Sequence, residues 1–339
     1  MRKILIAITL LITLMLTLTA CGGNENSWIS GSNPDSAPPA GSTGNSFGSP
    51  TGSPAGNPAG NPASSPQSPA PLNTVSFDTS KNISVLARED GSGTKTAFME
   101  IIGLKGKADP ANVIIQTGTA GILTEVKGNP AAIAYESLGY VTSDVKAVKI
   151  NGVEATTANI KNGTYKISRP LSVVYIEANL AGEVNKAFLT FLKSKDAQEI
   201  ISGEGYVSIV DNAPAYTING SLSGSIDISG STSLQPLMTE LAAVFEDLQP
   251  NVVVTVGGGG SGTGYKNADE GVSEFGMISE EFNLEKAPSC THYVVCKDGI
   301  AVIVHKDNPL GDITMEQLKN IYDVDAGADA MTKWDALIK

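Results

Sequence analysis

The segment Ile228-Ser-Gly-Ser-Thr-Ser-Leu-Gln-Pro236 decides the fold, because it joins a predicted strand over 225–229 to a predicted helix over 237–248. Two further segments of the same Gly/Ser/Thr composition stand at strand-to-helix junctions, Arg88-Glu-Asp-Gly-Ser-Gly-Thr94 and Gly257-Gly-Gly-Gly-Ser-Gly-Thr-Gly264. The N-terminus of a helix presents unpaired N–H groups and a partial positive charge, and both attract anions. One such segment alone is more typical of an N-cap after a tight turn. The three together, with an arginine in one of them, indicate an oxyanion site.

Around these junctions, short β-branched runs alternate with helical patterns from about residue 75 onward. This alternation is typical of an α/β fold. We predict strands over 83–88, 132–135, 147–150, 170–176, 225–229, 252–256 and 299–305, and helices over 94–104, 181–202, 237–248 and 315–322. A body of about 260 residues can bury one large core or two smaller ones.

Residues 1–20 have the pattern of a lipoprotein signal peptide. Met1-Arg2-Lys3 is basic, and the apolar and hydroxylated run that follows over 4–20 is short for a membrane span. Leu18-Thr19-Ala20-Cys21 resembles a lipobox, which implies cleavage before Cys21 and lipidation of its sulfur. The alternative is an uncleaved N-terminal anchor with a cysteine there by chance. Either way, we expect the folded body at the extracytoplasmic face of the cell membrane.

Residues 21–75 form a second piece, which after its cysteine consists mainly of Gly, Ser, Pro, Asn and Ala with almost no charge. Proline recurs every four residues from Pro50 to Pro66. Such a composition cannot bury enough apolar area to offset the entropy cost of ordering the chain. We therefore predict a disordered, partly extended tether between the membrane and the folded body.

The composition excludes several classes of function. The formal net charge is −12, and it becomes −14 if cleavage removes Arg2 and Lys3, which argues against a nucleic-acid partner. Three Cys and two His leave little for a metal site, and we expect no metal and no other cofactor. An acidic chain can still bind an anion, because a few oriented groups dominate at contact distance while exposed charges are screened beyond about 8–10 Å.

The glycine-rich segment completes neither a P-loop nor a nucleophile elbow. A P-loop needs Lys directly after its last glycine, but Tyr265 separates Gly264 from Lys266. A nucleophile elbow around Ser261 would need glycine where Thr263 stands. A G-x-G-x-x-G pattern is present, yet it is weak alone, and a dinucleotide is not expected outside the membrane. We therefore predict a binding protein and not an enzyme.

Together these segments resemble the phosphate-binding proteins of Pst phosphate ABC transporters, which have a type II periplasmic-binding-protein fold. The resemblance is carried by phosphate loops at 228–236 and 256–266, a third contact at 275–280, an Arg-bearing loop at 87–94, and crossings between two lobes at 298–309 and 167–170. It covers nearly all of the folded body. It implies an α/β fold with two lobes, a hinge, and an interlobe cleft that closes on the ligand.

The order of these segments is reversed relative to that family, since the Arg-bearing loop here precedes the first phosphate loop. The stretch 333–337 resembles the family's stretch just before the strand that here begins the folded body. We interpret this order as a circular permutation with a new link through 212–225, and the alternative is a truncated tandem array. The lobes are then predicted at 78–166 with 300–339 and at 168–297, with the hinge near Ser168 and Gly299.

The resemblance also implies a role for each residue of the site. Arg88 would give bidentate, charge-assisted hydrogen bonds to the oxyanion, and Asp90 would orient it. The alternative for the arginine is a surface ion pair. The remaining phosphate-binding residues implied are Ser92, Gly93 and Thr94 in one lobe and Thr232, Ser233, Ser261 and Ser279 in the other.

Ser279 departs from the family, because many members have Asp there. Phosphate keeps a proton at neutral pH, so distinguishing it from sulfate benefits from a hydrogen-bond acceptor, for which Asp90 and Glu280 are the candidates. The implied function is lipid-anchored capture of inorganic phosphate by a monomer that delivers it to ABC permease subunits. The alternative is an oxyanion-sensing or adhesive module with altered specificity on the same fold.

Cys290 and Cys296 leave one further question open. Disulfides are allowed in an exported domain, so the two residues could pair. Both flank a strand-like run, however, and the geometry could forbid the bridge. The sequence does not decide between these alternatives.

Overall fold

The structure, a computed structural model, describes residues 77–338. The predicted signal peptide, Cys21 and the predicted tether lie outside these residues. The described strands, β1 to β10, are Ser84–Arg88, Ile114–Gln116, Ala132–Ser137, Val145–Ile150, Ser168–Tyr175, Gly224–Gly230, Val252–Gly259, Phe275–Ile278, Thr291–His305 and Asp312–Ile313. The described α-helices, α1 to α8, are Gly93–Ile101, Gly118–Gly128, Thr157–Lys161, Glu183–Leu192, Lys195–Gly203, Gln235–Leu248, Ser261–Asp269 and Met315–Tyr322.

Several helices begin directly after a Ser or Thr residue whose side chain caps the helix N-terminus. Ser92 precedes α1, and its hydroxyl accepts the backbone N–H three residues later at 3.3 Å. Ser194 caps α5 in the same way. α8 begins with a capping box formed by Thr314 and Gln317. The single helix predicted over 181–202 is therefore wrong, because α4 ends at Leu192 and the cap at Ser194 begins a second helix.

The strands form one hydrogen-bonded sheet in the order β2-β1-β3-β9-β5-β8-β6-β7, and β4 pairs with both β9 and β10. The 15-residue strand β9 is shared by the two halves of this sheet. Its first part pairs antiparallel with β5, up to the pair formed by Ser168 and Gly299. Its second part pairs antiparallel with β3, starting at the pair formed by Ser137 and Ile300. Neighbouring residues on one strand therefore belong to different halves.

The first hydrophobic core lies on one side of this division. It is built from residues of 83–167 and 300–334, with the addition of Val207. Phe98 stacks on Tyr135 inside it, with ring centroids 3.8 Å apart. Fully burying an aromatic side chain of this size contributes roughly 1.5–3 kcal/mol.

The second hydrophobic core lies on the other side and is built from residues within 171–296. Its aromatic centre consists of Phe188, Phe191, Phe245 and Phe275, all fully buried. The helices α4, α5 and α6 supply seven of its other buried side chains, and strands and loops supply the rest. The two cores are separate clusters. The strands that run from one to the other therefore connect the two halves.

Cys290 and Cys296 are free thiols, so the disulfide that the sequence left open is not formed. Cys296 belongs to the second core together with Val173, whereas Cys290 belongs to a small separate cluster together with Val174. Consecutive residues of a strand point to opposite faces of the sheet. The two thiols are therefore on opposite faces and cannot meet.

Within residues 77–338, no helix combines the length and the apolar character needed to span a membrane. The same part of the chain brings together no group of three or more His, Cys, Asp or Glu side chains suited to a metal ion.

Candidate functional site

Arg88 stands at the end of β1 and is 1% exposed. Its Nε and Nη2 donate to the two carboxylate oxygens of Glu89 at 2.9 and 3.0 Å, and its Nη1 donates to Oε2 of Glu136 at 3.0 Å. Burial alone would lower the pKa of Arg88, but the hydrogen bonds and charges of these two carboxylates raise it above its ordinary value. The guanidinium is therefore a permanent positive charge held in one orientation.

The segment before α6, which belongs to the half of the second core, contacts Arg88. Nη2 of Arg88 donates to Oγ1 of Thr232 at 2.9 Å. The hydroxyls of Thr94 and Ser233 lie 2.8 Å apart, and the hydroxyl of Tyr140 donates to the carbonyl of Thr232 at 2.7 Å. These three contacts join the strand-to-helix junctions of the two halves side by side.

The glycine-rich segment before α7 completes the cluster. Ser261 is the first residue of α7, and its Oγ accepts the N–H of Ser279 at 3.0 Å. The hydroxyls of these two serines lie 3.2 Å apart. Gly93, at the start of α1, comes so close that a Cβ there would overlap both hydroxyls. Glycine is therefore required at this position if the two helix starts are to touch.

The structure thus brings together nearly all of the residues that the sequence placed at one site. They are Arg88, Ser92, Gly93, Thr94, Thr232, Ser233, Ser261 and Ser279, and all of them except the half-buried Thr232 are buried. Three helix starts face one another around a fixed guanidinium. Such a group of N–H donors, hydroxyls and one positive charge suits a small oxyanion.

The predicted role of Asp90 in orienting Arg88 is wrong, because its side chain does not contact Arg88. Its side chain is fully exposed and pairs with Lys95 at 2.8 Å, and this hydrogen bond lowers the pKa of Asp90. β1 ends at Arg88, and the turn through Gly91 at φ +84° follows, so the two-residue alternation of a strand no longer applies. Glu89 takes the orienting role instead.

Glu280, the other candidate acceptor, does not contact the cluster either. Both of its carboxylate oxygens accept from Nζ of Lys286, at 2.8 and 2.9 Å. Its neighbour Ser279 points its hydroxyl into the cluster instead. Adjacent residues after β8 diverge in this way because side chains alternate between the two sides of an extended backbone.

Glu89, Glu136 and Thr119 are site residues that the sequence reasoning missed. Glu136 is fully buried, and it ends the otherwise apolar run Ala132-Ile-Ala-Tyr135 of β3. Burying a carboxylate at the end of a strand costs free energy unless a cation pairs with it. A glutamate directly after an apolar run was therefore a signal for a buried cationic partner. Thr119 lies in the first turn of α2 and accepts from Nη1 of Arg88 at 3.3 Å.

A second arginine occupies the strand crossing. Arg169 and Asp298 are each buried and face each other across the β5–β9 ladder, with Nη2 to Oδ2 at 3.1 Å. Nη1 of Arg169 donates to the carbonyl of Ser279 at 3.0 Å. Burial raises the pKa of Asp298, and the charge of Arg169 opposes that rise. This ion pair connects the crossing directly to the site.

Comparison with known proteins places this geometry in a family. The model of the PBP superfamily domain matches the chain in two segments, residues 73–196 and 216–338. The phosphate-binding protein PstS 2 of Streptococcus pneumoniae serotype 4 is 34% identical over 265 residues, which cover 76% of this chain and 88% of the relative. PstS 2 of Streptococcus agalactiae serotype V is 35% identical over 276 residues, covering 79% and 92%.

A solved structure matches the chain as well. The crystal structure of a phosphate-binding protein of a phosphate ABC transporter from S. pneumoniae TIGR4 matches with a TM-score of 0.61 and 34% identity, over 76% of this chain and 100% of that one. This chain belongs to the PBP superfamily, in the family of the PstS phosphate-binding proteins. The predicted family and the two-lobed α/β fold are confirmed, whereas the circular permutation stays a prediction.

Proposed function

We propose that this chain is an extracytoplasmic binding protein that captures inorganic phosphate and delivers it to the permease subunits of an ABC transporter. The observation that carries the proposal is the meeting of Arg88, Thr232 and Ser261 at one buried cluster. The named relatives are phosphate-binding proteins, which supports phosphate as the ligand. We propose Arg88, Ser92, Gly93, Thr94, Thr232, Ser233, Ser261 and Ser279 as its binding residues.

We propose that the two cores belong to two lobes, one over 78–166 with 300–339 and the other over 168–297. In this proposal, the hinge is the crossing at Ser168 and Gly299, whose backbones pair in the β5–β9 ladder. Opening at the crossing separates the hydroxyl of Thr94 from that of Ser233 and admits the ion. Closure then replaces those hydroxyl contacts with hydrogen bonds to the ligand.

Calorimetry on the purified full-length chain tests the ligand. We expect phosphate to bind with micromolar or tighter affinity, and Arg88→Ala to lose at least about a hundredfold, since hydrogen bonds to a charged group contribute roughly 1.5–3 kcal/mol each. Lys81→Ala, which removes an exposed positive charge, is the matched control and should bind as the native chain does. Absence of binding heat with phosphate would contradict the proposal.

The Ser279 hydroxyl supports a second candidate, an oxyanion-sensing or adhesive module of altered specificity. A hydroxyl both donates and accepts, so it admits protonated and fully ionised oxyanions alike. Competition among phosphate, sulfate, molybdate and tungstate separates the two candidates. Phosphate capture requires a clear preference for phosphate, whereas the second candidate requires similar or greater affinity for another ion.

We propose, from the sequence, that Cys21 carries a lipid anchor and that the protein acts as a monomer without enzymatic activity, metal, cofactor or nucleic-acid partner. Two acyl chains on one residue would hold the chain firmly at the membrane. Cell fractionation tests this, because Cys21→Ala should move the protein from the membrane fraction into the medium or the periplasm. Cys290→Ala, which leaves the lipobox intact, should stay with the membrane.

A further inference from the structure

Three of the four carboxylates around the site have partners outside the hydroxyl cluster. Asp90 pairs with Lys95 on the surface, and Glu280 gives both oxygens to Lys286. Glu89 gives both oxygens to Arg88, and one of these also accepts the N–H of Gly118 at 3.1 Å. None of these three carboxylates is hydrogen-bonded to a hydroxyl of the cluster formed by Thr94, Ser233, Ser261 and Ser279.

Glu136 is different, because one of its contacts is long and faces the hydroxyl cluster. Its Oε2 accepts from Arg88 at 3.0 Å, and its Oε1 accepts the N–H of Ser137 at 2.9 Å. The remaining contact of Oε1 is with the hydroxyl of Ser233 at 3.4 Å. That hydroxyl lies 2.8 Å from the hydroxyl of Thr94, which offers it a shorter alternative. Displacing the long contact therefore costs little.

The chemistry of oxyanions makes such an acceptor selective. Hydrogen phosphate carries an O–H at neutral pH, whereas sulfate of similar size and charge carries none. A buried carboxylate oxygen can only accept, so it pairs with the O–H of hydrogen phosphate and repels every oxygen of sulfate. The hydroxyls of Thr232, Ser261 and Ser279 can adapt to either ion and provide no such discrimination.

We propose that Oε1 of Glu136 accepts the proton of the bound hydrogen phosphate in place of Ser233, and that Glu136 thereby determines the selectivity of the site for protonated over fully ionised oxyanions. The carboxylate that the sequence lacks at Ser279 is thus supplied from the opposite side of the cleft. The inference rests on the proposed function, since it names the specificity determinant of the same site.

Calorimetry on the full-length chain with phosphate and with sulfate tests the inference. Glu136→Gln keeps an oxygen for Arg88 and introduces an N–H that can donate to sulfate. We expect the ratio of phosphate to sulfate affinity to fall at least tenfold. Glu89→Gln is the matched control, because it weakens the other carboxylate partner of the same guanidinium. It should reduce the affinity for both ions in parallel and leave their ratio within threefold.

A merely structural role predicts that Glu136→Gln behaves like Glu89→Gln, with an unchanged ratio of phosphate to sulfate affinity, and that result would overturn the inference.

Monofluorophosphate gives a second measurement that needs no variant, because fluorine replaces the hydroxyl in a dianion of similar shape. The native chain should bind it at least tenfold more weakly than phosphate, and equal binding contradicts the inference. If the native chain binds neither phosphate nor sulfate, the proposed function fails as well; if it prefers phosphate and Glu136→Gln retains that preference, the inference alone fails.

Discussion

Nη2 of Arg88 donates to Oγ1 of Thr232 across 2.9 Å, although 144 positions separate the two residues in the chain. The bond joins the end of a strand of the first core to the start of a helix of the second. Since the donor is charged and buried, this is among the stronger kinds of side-chain hydrogen bond. The contact between the two halves therefore includes a charged hydrogen bond beside the neutral ones of Thr94 with Ser233 and Tyr140 with Thr232.

The first prediction concerns this bond. Thr232→Val keeps the shape of the side chain and removes the hydroxyl, so Arg88 loses an acceptor and the ligand loses a donor. We expect phosphate affinity to fall by roughly tenfold to a hundredfold, in line with about 1.5–3 kcal/mol for a hydrogen bond to a charged group. Calorimetry measures it. Thr239→Val, at an exposed position of α6, should leave the affinity unchanged; equal affinities for the two variants would exclude a role for the Thr232 hydroxyl.

The second prediction concerns the close approach at Gly93. A methyl group there overlaps the hydroxyls of Ser261 and Ser279, so Gly93→Ala should hold the two helix starts apart. We expect at least a tenfold loss of phosphate affinity with little change in melting temperature, because the overlap is relieved by opening and not by unfolding. Gly128→Ala, at the open end of α2, has space for the methyl group and should bind normally. Unaltered binding by Gly93→Ala would show that this approach is not needed.

The third prediction concerns the buried ion pair at the crossing. Asp298→Asn leaves the always-charged Arg169 without its partner, so urea unfolding should report a loss of about 3–5 kcal/mol. Arg169→Met combined with Asp298→Leu removes both charges and should recover part of that loss. A double variant no more stable than the single one contradicts this account. Asp144→Asn, which breaks the exposed pair with Lys127, should cost less than about 1 kcal/mol.

The fourth prediction concerns the two thiols. Burial raises the pKa of Cys290 to about 11 and raises that of Cys296 as well. Because the thiolate is the reactive form, alkylation of the native chain near pH 8 should be at least about a hundredfold slower than alkylation of the unfolded chain. Mass spectrometry after iodoacetamide treatment measures this. Thiols that stay unmodified even in denaturant until a reductant is added would indicate a disulfide instead.

The same pKa shift has a consequence for stability. The folded chain keeps Cys290 protonated at pH values where the unfolded chain, with an ordinary pKa near 9.0, has already released the proton. The folded state therefore binds more protons in that interval, and stability falls as pH rises from about 9 to about 11. Cys290→Ala should reduce this alkaline loss.

The sequence predicted the helix starts of the candidate site where the signal was local. Each of the three Gly/Ser/Thr segments is a helix start that follows a strand, and such a start carries its donors with it wherever the helix packs. The meeting of Arg88, Thr232 and Ser261 then required only that the three junctions share one edge of the fold. That placement came from the family resemblance and not from spacing.

The failures arose where the signal was not local. Asp90 was expected beside Arg88 because the family resemblance implies that role, but the strand ends at Arg88 and the side chain of Asp90 pairs with Lys95 on the surface. Glu136 was missed because its partner lies 48 positions away and is selected by strand pairing. The predicted helix over 181–202 had a continuous apolar period, and only the capping bond of Ser194 divides it. The thiol pair was left open because no pattern in the sequence reveals which face of the sheet each sulfur takes.

Strand β9 passes from the second core to the first without any loop between them. Loss of either core therefore removes half of the partners of a strand on which the other core also depends. We expect the chain to unfold in one cooperative calorimetric transition, and the amide hydrogens around Gly299 to exchange only through that global event. The segment that permits the halves to move is, by this reasoning, the last part of the backbone to be released.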